Sequence, residues 1–364
     1  MYVFSILKKR GCEVEYTKKI KIDEIKKADY IILTSSIICH ETELEALKQI
    51  VNCGKKVFVI GIFANVAKEK YKTINSFVVP GEAESFFLHV ELNEDSLQKY
   101  FFYKENDNTS KKTIPNMVDN LDDLPFPDWN YYTKKYALRN NFLDFNSKTA
   151  IPITATRGCP YSCFNYCTYP LQQGRKVRFR SVQNVVKEMK HWISTLGTNK
   201  FIFRDPVFSI NRKYTVDLCN EIIKENLKIT YLIETHLKNL DDELITLLKN
   251  SGLKLVYVGI ESVNSEILKD IKRFTVDQEE QNNVIKKLVE NDIYVKSMFM
   301  FGNPEDNEKT IKETIKYSME LPHQLVQYSV FTPYPGTPIY SLYEKKITEK
   351  KMEKFNQYNL TFKH

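Results

Sequence analysis

The chain has 364 residues, 42% hydrophobic and 27% charged, an ordinary balance for a globular protein with room for two or three domains. No apolar run reaches the roughly 18 residues needed to cross a bilayer, and residues 1–7 lack the basic lead and cleavage site of a signal peptide, so a cytoplasmic location is expected. The formal charge of +7 is spread in lysine pairs such as Lys8-Lys9 and Lys345-Lys346, which reads as a solvated surface and leaves a nucleic-acid groove as the alternative; seven cysteines in so long a chain exclude a disulfide framework.

Residues 2–9 read as a short helix ended by Gly11, and residues 12–16 alternate like a strand. A helix follows at 22–27 and a buried strand at 30–34. Residues 41–51 form a helix stopped by Gly54, and strands follow at 57–61 and 76–79. The last runs into Pro80-Gly81-Glu82-Ala83-Glu84. Continuous apolar strands separated by helices imply a parallel sheet covered on both faces. Three strand ends carry small or polar residues: Thr34-Ser35-Ser36, Gly61-Ile62-Phe63-Ala64 and Gly81-Glu82. Open α/β sheets bind ligands at that edge, although tight strand-to-helix turns account for the same residues.

Between 96 and 149 the periodicity is lost. Residues 105–112 are a polar linker or hairpin tip, and Leu121-Asp122-Asp123-Leu124-Pro125-Phe126-Pro127-Asp128-Trp129 is proline-stiffened, with apolar residues able to pin it to a neighbouring domain. A second α/β run follows, with strands at 150–154, 201–203, 230–234, 255–260, 295–300 and 324–332 and helices between them. About six strand–helix units are fewer than the eight of a closed barrel. The expected fold is α/β: a partial Rossmann-like, flavodoxin-like sheet in residues 1–95, a linker at 96–149, an open (β/α)6 partial TIM barrel at 150–340 and a helical tail with a loose end at 341–364.

The chemistry concentrates in Arg157-Gly158-Cys159-Pro160-Tyr161-Ser162-Cys163-Phe164-Asn165-Tyr166-Cys167. It follows a short buried strand, at the strand end where parallel α/β folds place their sites. Three close thiols on a loop indicate a metal or cluster site. Cys12, Cys39, Cys53 and Cys219 lie elsewhere, so no fourth ligand is evident. A cubane cluster held by three thiolates leaves one iron open for a small bidentate ligand; a zinc knuckle completed by a distant histidine is the alternative.

This loop resembles the cluster loop of the radical S-adenosylmethionine (SAM) superfamily. Phe203-Arg204-Asp205-Pro206-Val207-Phe208, Gly259-Ile260-Glu261-Ser262, Phe301-Gly302-Asn303-Pro304-Glu305 and Phe331-Thr332-Pro333-Tyr334-Pro335-Gly336-Thr337-Pro338 resemble later landmarks in that family's order. The resemblance implies a 4Fe-4S cluster on Cys159, Cys163 and Cys167, and SAM as a cofactor cleaved to a 5′-deoxyadenosyl radical. It places Asp205 near the SAM amine, Glu261 and Ser262 near the ribose or methionine carboxylate, and Gly302 and Thr332 beside the adenine. Helix capping is the other account of Asp205, Glu261 and Ser262. Arg178 and Arg180, with Ser181 and Glu188, match as an ion-pair layer. The family spaces its cysteines by three residues, then two; here the spacing is three and three, and a bulge is expected to absorb the extra residue.

Thr34-Ser35-Ser36, Glu41-Thr42-Glu43-Leu44, residues 57–64 and residues 77–84 resemble the cobalamin-binding domain of class B members of that superfamily, which implies cobalamin near Ser35, Ser36, Gly61 and Gly81. No Asp-x-His-x-x-Gly is present, so no lower histidine ligand is expected. The chain begins at what would be that domain's first helix, which leaves a remnant domain as the alternative. The implied function is radical SAM chemistry, as a cobalamin-dependent C-methyltransferase or related catalyst. The alternatives are a cobalamin-independent enzyme, such as a methylthiotransferase-like RNA modifier, and a non-catalytic zinc- or cluster-binding protein. Expected partners are a small-molecule, lipid, sugar or peptide substrate and a reductant such as flavodoxin or ferredoxin.

Overall fold

The computed structural model describes residues 1–72, 75–98, 116–138, 150–274 and 276–364, apart from the Phe164 side chain; the polar stretch 105–112 lies outside them. Three parallel strands, β1 (Tyr30–Thr34), β2 (Lys56–Ile60) and β3 (Ser76–Val78), form a first sheet in the order β1-β2-β3. Val57, Phe58 and Val59 of β2 are completely buried. Phe58 packs with Ile6, Leu7, Phe86 and Phe87 from helices Tyr2–Lys9 and Ala83–His89. Val57 and Val59 pack with Leu47 and Ile50 of helix His40–Asn52 on the other side. Burial on both faces is why the β2 sequence is an unbroken apolar run.

Residues 12–16 are not a strand, contrary to their alternation. A strand needs a neighbour for its backbone groups, and alternation alone does not supply one. Tyr16 instead packs against Tyr132 and Tyr136, with its N–H on the Tyr131 hydroxyl.

The remaining strands are β4 (Ile151–Ile153), β5 (Thr156–Arg157), β6 (Arg178–Phe179), β7 (Lys200–Phe203), β8 (Thr230–Thr235), β9 (Leu253–Glu261), β10 (Tyr294–Phe301) and β11 (Leu325–Val330). Six of them form a parallel sheet in the order β4-β7-β8-β9-β10-β11, while β5 and β6 pair antiparallel beside it. The edge strands β4 and β11 do not meet, so the barrel is open. Crossover helices, among them Val182–Leu196 and Gln278–Glu290, cover one face and bury Phe201, Tyr231, Val256 and Val295. On the opposite face Ile202, Leu232 and Leu255 form a smaller apolar floor with Tyr257, Tyr294 and Leu325.

The proline-stiffened segment is shared between the two cores. Leu121 and Leu124 join the core of the first sheet, whereas Phe126 and Trp129 pack against that of the second. The tail departs from expectation. Its helix, Pro338–Tyr343, ends early, and the chain folds back, with Ile347 bridging Phe362. Phe355, Thr361 and Phe362 are buried, and the Phe362 ring lies against Phe331 and Tyr343. Aromatic burial anchors a segment whose lysines had suggested a loose end.

Candidate metal centre

The cysteine loop leaves a segment clamped at each residue. Arg180 donates to the Thr154 carbonyl at 2.8 Å and pairs with Glu188, which water does not reach. Asp205, fully buried just past β7, turns its carboxylate to the N–H groups of Ala155, at 3.2 Å, and Thr156. Arg157 pairs with Glu82 at 3.3 Å and Glu84 at 3.0 Å, and its guanidinium lies 5.0 Å from the Tyr2 ring centroid. Glu82 also receives both Arg178 terminal nitrogens at 2.8 Å and the Val118 N–H at 2.8 Å. The turn after β3 is thus tied by buried ion pairs to the base of the cysteine loop.

Gly158 sits at φ +98°, and a Cβ there would stand 2.2 Å from the Lys176 carbonyl oxygen. Only glycine suits both the dihedral and the contact. Gly158→Ala is expected to destabilise the protein by about 3 kcal/mol, the upper end for a strained backbone position. Urea unfolding checks this; an alanine variant as stable as the wild type would mean that the clamp can shift.

Cys159 places its N–H on the Gly174 carbonyl at 3.1 Å. Residues Ser162–Asn165 then form a single 3-10 turn, and the Cys167 N–H reaches the Cys163 carbonyl at 3.1 Å. The extra residue is therefore absorbed by a closed helical turn and not by a bulge, and a helical turn brings positions four apart to one side. All three cysteines are free, with Cys159 and Cys163 buried and Cys167 half-buried. Burial raises the Cys159 pKa and pushes Cys167 up to about 12, with Cys163 adding to both. Such thiols bind a metal by giving up their protons to it. Among the described residues, no three Cys, His, Asp or Glu side chains stand at the mutual spacing needed to hold a metal ion. The fit to a cluster rests on the donor set: three unpaired thiols on one short, anchored loop.

Arg273 completes this group. It donates to the Gly259 carbonyl at 2.6 Å and approaches the Cys163 sulfur at 3.9 Å. Sequence reasoning misses it, because Lys272-Arg273 looks like another surface basic pair. Glu261 lies near Arg273 on a β-bulge, with the strained φ of +71° that re-aims its side chain. Burial raises the Glu261 pKa, and the Arg273 charge opposes the rise.

The other predicted positions are engaged locally. Ser262 is buried and accepts the Asn264 N–H at 3.2 Å, ahead of the helix that Asn264 caps. Thr332 donates to the Val330 carbonyl at 3.0 Å, and Gly302, at φ +75°, faces Leu360 of the tail. At the edge of the first sheet, Ser35 accepts the Ala64 N–H at 2.8 Å, and Ser36 donates its N–H and hydroxyl to Glu43. A Cβ on Gly61 would stand 2.6 Å from the Ser35 carbonyl oxygen, and one on Gly81 2.0 Å from that of Asn116. These glycines permit close approach, but what approaches them is the chain itself. The structure brings Glu261 and Arg273 together beside Gly259, with Arg273 against Cys163, while Asp205 holds the strand that enters the cysteine loop.

The family model described as the Radical SAM superfamily matches residues 153–318, which contain the cysteine loop. An uncharacterized methyltransferase of Pyrococcus horikoshii is 26% identical over 65% of this chain and 50% of its own. A bacteriochlorophyllide d C-12(1)-methyltransferase of Chlorobaculum tepidum is 26% identical over 85% of this chain and 64% of its own. The chain therefore spans about half to two thirds of the length of these relatives. Among solved structures, the radical SAM methyltransferase TsrM from Kitasatospora setae superposes with a TM-score of 0.70 at 17% identity, covering 94% of this chain and 73% of that one. TsrM has also been solved with cobalamin and a [4Fe-4S] cluster bound. Residues 153–318, which hold the cysteine loop and most of the open parallel barrel, are thus a radical SAM domain.

Proposed function

We propose that this chain is a radical SAM enzyme acting on an unactivated carbon, with methyl transfer the best supported reaction. The observation that carries this reading is the anchored loop of three free thiols at the strand ends of an open parallel barrel. Cys159, Cys163 and Cys167 would hold a 4Fe-4S cluster. When bound, such a cluster supplies the electron that cleaves SAM to methionine and a 5′-deoxyadenosyl radical.

The chain's own residues do the positioning. Glu261, Ser262 and the backbone at Gly302 and Thr332 line the strand ends where SAM would lie. Asp205, with its oxygens on Ala155 and Thr156, fixes the approach to the loop. The edge carrying Ser35, Ser36, Gly61 and Gly81 is proposed for cobalamin, on the likeness of the fold to TsrM. This division makes residues 1–95 a cobalamin-type domain and 150–340 the radical SAM core, in a cytoplasmic protein supplied with electrons by a flavodoxin or ferredoxin.

Anaerobic reconstitution tests the proposal. The wild-type protein is expected to take up about four irons per chain and to release 5′-deoxyadenosine from SAM under dithionite. Cys163→Ala is expected to lose both. A colourless protein that binds zinc and leaves SAM intact would overturn the reading. Bound cobalamin, read by its visible absorbance, tests the assignment of the first sheet separately.

A further inference from the structure

The face of the large sheet away from the helices carries a charged row that the foregoing leaves without a role. Ile202, Leu232, Leu255 and Tyr294 lie in register on β7, β8, β9 and β10 as an apolar floor. Two residues further towards the C-terminal ends stand Arg204, Glu234, Tyr257 and Lys296. Glu234 pairs with Tyr257 and Tyr257 with Lys296. The Arg204 N–H still bonds the Ile153 carbonyl at 2.8 Å, so the ladder carries through it. Residues in register point to the same face. One row across four neighbouring strands therefore holds two cations, one carboxylate and a phenol.

The row is open to ligands. Arg204 is exposed, and Glu234, Tyr257 and Lys296 are half-buried. Among the described residues, neither Arg204 nor Lys296 makes a side-chain hydrogen bond or salt bridge; Lys296 lies over the Tyr257 ring, 4.7 Å from its centroid. Tyr169, just beyond Cys167 in the chain, donates its hydroxyl to Glu234 at 3.2 Å and joins the row to the cysteine loop. One carboxylate cannot neutralise two cations, and the half-buried Lys296 favours an anion.

We propose that Arg204 and Lys296 bind an acidic group of the substrate, a carboxylate or a phosphate, beneath the cysteine loop, with Tyr257 meeting its neutral part. The assignment rests on the proposed radical SAM function, since it names the substrate class of that site. A guanidinium suits two-point contact with either acid, and an ammonium beside it adds a point charge. Glu234 stands against the acid and limits its affinity, while its bond from Tyr169 keeps the row aligned with the loop.

The test uses the reconstituted full chain and two probes, inorganic phosphate and benzoate, in calorimetric titrations. At least one probe should saturate the wild type. Arg204→Gln and Lys296→Met should each weaken it about tenfold or more, and Glu234→Gln should tighten it several-fold. The probe that binds distinguishes phosphate from carboxylate. Circular dichroism checks that the variants fold; Lys296→Gln serves if Lys296→Met does not. Failure of both probes to bind, or binding indifferent to all three substitutions, overturns the inference. Cluster uptake and 5′-deoxyadenosine release are read on the same preparations. Their presence without acid binding sinks this inference alone, and their absence sinks the functional reading beneath it.

Discussion

Glu82→Ala is expected to cost about 3–5 kcal/mol of stability, the range for removing one partner from a buried ion cluster. The Glu82 side chain is almost wholly buried, and so are those of Arg157 and Arg178, which share it. Its loss leaves the buried Arg178 guanidinium without a carboxylate, Arg157 with Glu84 alone and the Val118 N–H without its acceptor. The exposed pair of Lys56 and Glu94 provides the contrast: Glu94→Ala should cost less than about 1 kcal/mol, because solvent screens such pairs. The loop should respond as well, since Arg157 adjoins Gly158 and Cys159. Alkylation of Cys159, Cys163 and Cys167 in the metal-free protein should be faster in Glu82→Ala than in Glu94→Ala. Urea unfolding gives the stability, and equal losses in the two variants would refute the role assigned to Glu82.

What the sequence revealed, and what it hid, follows from how far each signal extends along the chain. The strand read at 57–61 was legible because burial of β2 on both faces leaves an unbroken apolar run. The cysteine loop was legible because its three donors lie within nine positions. Partners distant in sequence left no such trace. Glu82 meets Arg178 across 96 residues, and Asp205 reaches Ala155 across 50. Each of these reads locally as an ordinary polar residue beside a turn. Arg273 was hidden for the same reason, since its contact with Cys163 spans 110 residues. The charged row needed the register of four strands before its members could be seen as neighbours. Residues 12–16 misled in the other direction: they have the alternation of a strand, yet Tyr16 is held by an aromatic cluster and not by a ladder.

Asp205→Asn tests the anchor beneath the loop, and its effect should depend on pH. Burial pushes the Asp205 pKa from 3.8 up to about 6, against the opposing pull of its hydrogen bonds from Thr156 and Ala155 and of the Arg180 charge. Between those two values the folded protein keeps a proton that the unfolded chain has lost. Stability linked to this group is therefore full below about pH 4 and declines as the pH rises through about 6. The two pKa values correspond to a change of about 3 kcal/mol across that window. Asparagine does not titrate, so its variant should lack the decline. It should still be less stable at low pH, because its amide N–H faces the donors of Ala155 or Thr156 in place of an acceptor, a mismatch worth about 1–3 kcal/mol. The gap between wild type and variant should thus be widest near pH 4 and narrow towards neutrality. Urea unfolding at intervals from pH 4 to 7.5 measures it. A gap constant across that range would mean that Asp205 is already ionised at pH 4, held by the N–H groups of Ala155 and Thr156 as a permanent anion at the foot of the cysteine loop.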